Sequence, residues 1–158
     1  MREIKILRRY MIQNREDYHK YNKIAGLITK LTTKLTALKA SDEVRMKVTN
    51  ALLDKLYTMG LIDTKKSLVK AEKLSASAFC RRRLPVVMVR AKMAENLQEA
   101  ITFIEQGHVR VGPEVVTDPA FLVIRPMEDF VTWVDSSKIK RAVARYNDKL
   151  DDYELLGN

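Results

Sequence analysis

The stretch RRRLPVVMVRAKMAENLQEAITFIEQGHVRVGPEVVTDPAFLV, residues 81–123, decides the fold because the period of its apolar residues changes along its length. Its first part has helical spacing, which predicts two short helices, one with Pro85 in its opening turn and one ending at Gly107. The residues expected to face inward are Leu84, Val87, Met88, Ala91, Leu97, Ala100, Ile101 and Ile104.

Strands are predicted after the two helices. The segment HVRVG, residues 108–112, alternates two valines with a histidine and an arginine, as a strand with one buried face does. A turn at residues 118–119 and the β-rich segment DFVTWVD, residues 129–135, complete the pattern. The sequence therefore predicts an α+β fold in which two helices pack on a small antiparallel β-sheet.

A helical region is predicted ahead of this module, from Ile4 to about Met59. One helix is expected to stop around Ala40, and the next begins at a cap provided by Ser41 or Asp42. Gly60 suits a left-handed helix end. The apolar stripe of the first helix is expected to be Leu27, Ile28, Leu31, Leu35 and Leu38, and that of the second Leu52, Leu53, Leu56, Tyr57 and Met59. Tyrosines 10, 18 and 21 are expected to pack against neighbours, with stacking on nucleic-acid bases as the alternative.

The remaining segments divide the chain. Residues 61–76 predict a polar connection with a short helix or turn, and residues 136–150 predict a helix followed by an acidic tail. We therefore expect an N-terminal helical region at 1–75, the α+β module at 76–135, and a C-terminal helix and tail at 136–158.

The charge of the chain is unevenly distributed. The formal net charge is +9 over 158 residues, with +7 in residues 1–60, +7 in residues 61–93 and −5 in residues 94–158. Such a field attracts polyanions, most often nucleic acid and next an anionic membrane surface. Apolar runs are too short to span a bilayer and the N-terminus does not resemble a secretory signal, so we expect a soluble intracellular protein.

The arginine triplet of residues 81–83 is the strongest candidate for RNA contact, because adjacent like charges are unfavourable unless an anion is bound. Arginine also holds phosphate with a planar fork and stacks on bases. The full set of candidates is Arg81, Arg82, Arg83, Arg90, Lys92, His108, Arg110, Lys65, Lys66 and Lys70. Replacing the triplet by alanine is expected to weaken RNA binding without lowering the melting temperature.

Other interpretations of these residues remain open. The lysines of residues 61–76 suit a solvated linker as well as a phosphate-contacting strap. Arg110 suits a solvated strand position, and His108 suits a helix cap or a hydrogen bond to the backbone.

Catalytic roles have little support in the sequence. Cys80 is the only cysteine, which excludes an intramolecular disulfide and a multi-cysteine zinc site. An exposed thiol beside arginines would be reactive, with His19 or His108 as a base, but no spacing brings these residues together. The carboxylates show no metal-ligand spacing. We expect no enzyme activity, no metal and no cofactor.

Several of these motifs carry a family resemblance. The Arg83-Leu84 helix start, Gly107-His108, the valine strand and the Asp118-Pro119 turn resemble the S4-like RNA-binding module. The flanking segments LRRYMIQNREDYHKYN, LLDKLYTMG, CRRRLP, EQGHVRVGP and MEDFVTWVDSSKIKR, with the DDYE tail, resemble the S4-like protein family of the U3 small nucleolar ribonucleoprotein. This resemblance spans nearly the whole chain.

The resemblance implies a nucleolar, non-enzymatic factor of small-subunit ribosome assembly. It implies U3 small nucleolar RNA and pre-ribosomal RNA as ligands, whose pairing the protein helps, and a phosphoprotein scaffold and a Brix-type protein as partners, with no membrane role. The alternatives are an S4-like structural ribosomal protein and a protein-interaction adaptor. Family members usually have a further basic segment ahead of the position of Arg2, so contacts made by that segment are expected either to be lost or to belong to residues absent from this sequence.

The module departs from its pattern at two positions. Many S4-like domains have Arg where this chain has Ile101 in the second helix, and Asn where it has Gly112 after the valine strand. The expected RNA contacts therefore shift to the first helix and the helical hairpin.

Overall fold

The computed structural model describes residues 2–135, 137–139, 142 and 145–146. Its helices are α1 (Arg2–Arg9), α2 (Arg15–Ala37), α3 (Glu43–Met59), α4 (Val69–Glu72), α5 (Ala76–Cys80), α6 (Leu84–Arg90) and α7 (Leu97–Glu105). The strands are β1 (Val109–Val111), β2 (Glu114–Val115) and β3 (Val131–Trp133), and a 3-10 helix, Arg125–Phe130, precedes β3. The predicted C-terminal helix and acidic tail lie mostly outside the described residues.

The α+β architecture predicted from the sequence is confirmed. The three strands form an antiparallel sheet in the order β2-β1-β3, with Val109 opposite Trp133 and Val111 opposite Val131. Val109 and Val111 are buried while Arg110 between them is partly exposed, so the strand has the predicted two faces. Helices α6 and α7 pack on each other and share one apolar core with the sheet.

The predicted helix ends are also confirmed. Asp42 accepts hydrogen bonds from the backbone N–H groups of Val44 and Arg45, as an N-terminal cap does. Pro85 lies in the first turn of α6, where its missing N–H leaves no hydrogen bond unmade. Gly60 and Gly107 end α3 and α7 with φ angles of 80° and 78°.

The buried face of α2 differs from the predicted leucine stripe. Ile28 and Leu35 are buried, but Leu27 is 56% exposed and Leu31 and Leu38 also face solvent. The buried residues of α2 are Tyr18, Tyr21, Ala25, Ile28, Thr32 and Leu35, and the helix packs mainly against α4 and α5 and also contacts α1 and α3. Leucine spacing alone did not reveal this face because small and hydroxyl-bearing residues complete it.

Tyr18 and Tyr21 therefore serve the core, as expected. The ring of Tyr21 stacks on Phe79, with centroids 5.5 Å apart and an interplanar angle of 4°. Phe79 and Cys80 of α5 belong to the core of the helical region, whereas Leu84 belongs to the core of the module. The arginine triplet thus lies at the junction between the two cores.

Gly60→Ala is expected to lower the free energy of unfolding by about 2–4 kcal/mol. A Cβ at this position would lie 2.5 Å from Cζ and Nε of Arg82, and the φ of 80° disfavours any side chain. Thermal or urea unfolding measures the change. The matched control is Gly26→Ala in α2, where a Cβ meets nothing within 4 Å. That control should gain about 0.5–1 kcal/mol, and a loss of the same size in both variants would contradict the prediction.

Candidate nucleic-acid interface

Arg82 lies inside the protein and not on a surface patch. It is 4% exposed, its Nε donates to the Val123 carbonyl oxygen at 3.0 Å, and its Nη1 lies 2.9 Å from a Glu128 carboxylate oxygen. The backbone of Arg82 also accepts a hydrogen bond from Val123 N–H, and its side chain covers Gly60. Arg82 therefore joins the end of α3 to the module.

Arg83 is buried on the α2 side of the same junction. It is 3% exposed, its Nη1 donates to the Tyr21 hydroxyl at 3.0 Å, and the same nitrogen lies 3.5 Å from an Asp17 carboxylate oxygen. Burial raises the pKa of Tyr21, while the nearby Arg83 charge opposes that shift. Arg83 links α2 to the first turn of α6.

The expectation of an outward-facing triplet is corrected by this geometry. Residues 82–84 run alongside residues 121–123, with an antiparallel bridge between Arg83 and Leu122. Glu128 and Asp17 supply counter-charges from inside the protein, so no external anion is needed to stabilise Arg82 and Arg83. Alanine at all three positions should lower the melting temperature, contrary to the expectation from the sequence.

Arg81 is the exposed member of the triplet. Its Nε donates to the Ser77 carbonyl oxygen at 3.3 Å, and its own carbonyl oxygen accepts from Arg90 Nη2 at 3.1 Å. Arg90 is exposed at the end of α6, and exposed Lys92 follows with a left-handed φ of 62°. Arg81 and Arg90 are therefore in contact with each other, and Lys92 follows the end of α6.

The predicted lysines lie on the connection between the two cores. Lys66 is exposed, Lys65 pairs with Asp54 at 3.2 Å, and Lys70 pairs with Asp63. The hydrogen bond from Lys70 lowers the pKa of Asp63. These surface pairs hold the lysine side chains only weakly, which leaves them available for phosphate.

His108 and Arg110 lie on the outer face of the sheet. His108 Nδ1 is 2.9 Å from the Ser137 hydroxyl, and Arg110 Nε donates to Thr132 Oγ1 at 3.1 Å. Arg110 also lies 4.0 Å from Asp135. Neither residue lines the basic cleft between the helical region and the module.

A cleft of about 480 Å³ opens between the helical region and the module. It brings together four of the candidate RNA-contacting cations, a further lysine of the connection at residues 61–76, and Arg125, which sequence reasoning did not select. The six cations are Lys70, Lys73, Arg81, Arg82, Arg90 and Arg125, and the carboxylates that also line it are Asp63 and Glu128. The cleft is therefore strongly basic.

Arg125 lines the cleft although sequence reasoning did not select it. Its Nε donates to the Tyr57 carbonyl oxygen and its Nη2 to that of Ile62, both at 2.9 Å. Its guanidinium lies 4.2 Å from the Tyr57 ring centroid. The one sequence signal that could have drawn attention to Arg125 is its position directly before Pro126, at the start of a helix. Its hydrogen-bond partners are 63 and 68 residues away in the chain, so the sequence does not reveal them.

The cysteine lacks the environment of a nucleophile. Cys80 is fully buried, and burial raises the pKa of its thiol to about 11. In the part of the chain that the structure describes, no three His, Cys, Asp or Glu side chains form a group suited to a metal ion. No described helix is both long and apolar enough to cross a membrane.

Cys80 is expected to resist a thiol-reactive reagent at neutral pH until the protein is unfolded. Because its folded pKa lies above the reference value of 9.0, its stabilising contribution is complete below pH 9 and is lost as the pH rises towards 11. Urea unfolding over this range should show a shallower decline in Cys80→Ala than in the parent chain. Equal slopes in the two proteins, or rapid native labelling, would contradict the burial of the thiol.

Comparison with known proteins gives two family matches along the chain. Residues 1–81 match the Ribosomal protein S4/S9 N-terminal domain and residues 82–127 match the S4 domain. The chain is 55% identical over 155 residues to the U3 small nucleolar ribonucleoprotein protein IMP3 of Homo sapiens, covering 98% of this chain and 84% of the relative. The protein of the same name from Saccharomyces cerevisiae is 56% identical, with 98% and 85% covered. Small ribosomal subunit protein uS4 of Hyperthermus butylicus is 28% identical, with 87% and 77% covered.

Proposed function

Because the chain belongs to the family of the U3 small nucleolar ribonucleoprotein protein IMP3, we propose that it is an RNA-binding factor of small-subunit ribosome assembly. The observation that carries this proposal is the basic cleft, where cations from the helical region and from the S4 domain meet. Phosphate contacts dominate the affinity of proteins for nucleic acid, and the cleft concentrates groups that make them.

We assign the direct RNA contacts to exposed cations around this cleft. Arg81 and Arg90 are in contact with each other, Lys92 follows the end of α6, and Lys66 and Lys70 lie on the connection before the module. Arg82 and Arg83 hold the two cores together and thereby fix the positions of these groups. Lys65, His108 and Arg110 are proposed as secondary contacts, because each has a protein partner and lies outside the lining of the cleft.

The proposed mechanism is assistance to base pairing between U3 small nucleolar RNA and pre-ribosomal RNA. Two RNA strands repel each other through their phosphates, and a basic surface that binds both lowers this repulsion. A surface that prefers single strands also keeps a competing stem open. Neither effect requires a cofactor.

The proposed setting is the nucleolus, within a U3 ribonucleoprotein that includes a phosphoprotein scaffold and a Brix-type protein. The exposed apolar residues Ile24, Leu27 and Leu31 of α2 offer a docking face for one of these proteins. Trp133 is a weaker candidate, since its ring packs edge-on against Phe103 at 5.5 Å.

Crosslinking in cells followed by sequencing of the bound RNA tests the proposal. Reads on U3 small nucleolar RNA and on the precursor segments that pair with it are the expected result. Reads spread over mature ribosomal RNA would favour a structural ribosomal protein, and an empty library would favour a protein-interaction adaptor.

A further inference from the structure

The guanidinium of Arg82 has one nitrogen without a partner. Nε donates to Val123 and Nη1 pairs with Glu128, but Nη2 is buried and has no hydrogen-bond partner among the described residues. Buried donors are nearly always paired, so an orphaned one requires an explanation. Arg82 is also one of the residues that line the basic cleft.

The charges around Arg82 favour an anionic ligand. Six cations line the cleft and only two carboxylates accompany them, one of which, Asp63, already pairs with Lys70. Positive charge confined in a concave site raises the local concentration of anions. Guanidinium groups bind the oxygens of phosphates and carboxylates with two parallel N–H donors, and RNA, the proposed ligand, supplies phosphate.

The frame of the cleft is held in place before any ligand binds. Arg125 fastens the 3-10 helix to the Tyr57 and Ile62 carbonyl oxygens, and Arg82 lies against the backbone of Gly60. A site whose donors are fixed in advance loses less conformational entropy on binding. The walls of the cleft therefore act as one preformed unit.

The size of the cleft selects single-stranded nucleic acid. Its volume of about 480 Å³ is within the range of roughly 300–1,000 Å³ typical of small-ligand pockets. Such a space admits one phosphate and part of its nucleotide, whereas an A-form duplex is far too wide to enter. Unpaired RNA segments offer a backbone that can be drawn into a pocket of this kind.

We propose that this cleft seats a single phosphodiester of unpaired RNA on Arg82, and that Glu128 is the internal counter-ion which the phosphate displaces. The inference rests on the proposed RNA-binding function. Glu128 is suited to this role because it lies on the cleft wall, pairs with Arg82 at 2.9 Å and keeps one third of its side chain exposed. Its carboxylate satisfies Arg82 in the free protein and leaves room for exchange with a phosphate.

Glu128→Gln tests the exchange. The amide keeps the shape of the side chain and can still accept a hydrogen bond from Arg82 Nη1, but it no longer competes as an anion. Affinity for a short single-stranded RNA should rise by about three- to tenfold at low salt, and affinity for the matching duplex should change little. The matched control is Asp129→Asn, which removes the same charge from the exposed neighbouring residue and should change affinity by less than about twofold.

Three outcomes overturn the proposal: unchanged or weaker single-strand binding by Glu128→Gln, an equal gain in Asp129→Asn, and an equal gain for duplex. A second measurement needs no variant, because crystals of the full chain soaked in tungstate should show anomalous density within hydrogen-bonding distance of Arg82. Tungstate density found only at other places on the protein would also overturn the proposed phosphate site on Arg82. If the parent chain binds single-stranded RNA and these tests fail, only the proposed phosphate site on Arg82 is wrong. If the parent chain binds no RNA, the proposed function itself is wrong.

Discussion

Arg83→Met is expected to lower the free energy of unfolding by about 3 kcal/mol, whereas Arg81→Met, two residues earlier, should change it by less than about 0.5 kcal/mol. Arg83 is buried and contacts the Tyr21 hydroxyl and the Asp17 carboxylate, while Arg81 is exposed. Methionine fills most of the space but leaves both partners unpaired. Breaking a buried ion pair typically costs about 3–5 kcal/mol of stability. We expect a loss at the lower end of this range because Arg83 Nε has no hydrogen-bond partner among the described residues.

Urea unfolding of the full chain measures both variants. A rescue variant separates the loss of the polar network from a packing defect. Adding Tyr21→Phe and Asp17→Asn to Arg83→Met removes the orphaned hydroxyl and the unpaired charge, so part of the stability should return. Equal stability of the Arg81 and Arg83 variants would contradict the structure, in which Arg83 is buried and Arg81 is exposed.

Removing the four exposed cations around the cleft should give the largest loss of RNA affinity. The variant replaces Arg81, Arg90, Lys70 and Lys73, which are exposed and line the cleft, with alanine and leaves Arg82 and Arg83 in place. At about 1 kcal/mol for each contact, affinity for single-stranded RNA should fall by roughly 10²- to 10³-fold at low salt. The dependence of log affinity on log salt should flatten by about 3, since each phosphate contact contributes roughly 0.7 for a single strand. Filter binding over a salt series gives both quantities.

A charge-matched control distinguishes a localised site from the general field of a basic protein. Lys20, Lys23, Lys30 and Lys34 are exposed on α2 and do not line the cleft. Their replacement by alanine removes the same four charges but should reduce affinity by less than about tenfold. If the two variants lose affinity equally, RNA binds through net charge and the assignment to the cleft is wrong. Melting temperatures of both should stay close to that of the parent.

The family and the positions of most elements were accessible from the sequence because local rules determine them. Asp42, Pro85 and Gly60 are residues whose backbone preferences fix helix ends without help from distant segments. Alternation in residues 108–112 likewise determined which side of β1 is buried. The resemblance to the S4-like family, carried by these motifs, is confirmed by the near full-length matches.

Tertiary contacts decided which charged groups are available. Arg81, Arg82 and Arg83 are identical in the sequence, and no local rule separates them. Their environments come from Glu128, Asp17 and residues 121–123. Each of these partners lies 38 or more residues away along the chain from the arginine that it contacts. The sequence by itself determined the fold class and a basic surface suited to RNA. Only the tertiary structure showed that Arg82 and Arg83 are buried at the junction, where Arg82 also lines the cleft, and that Arg81 is exposed, because burial depends on what distant segments bring together.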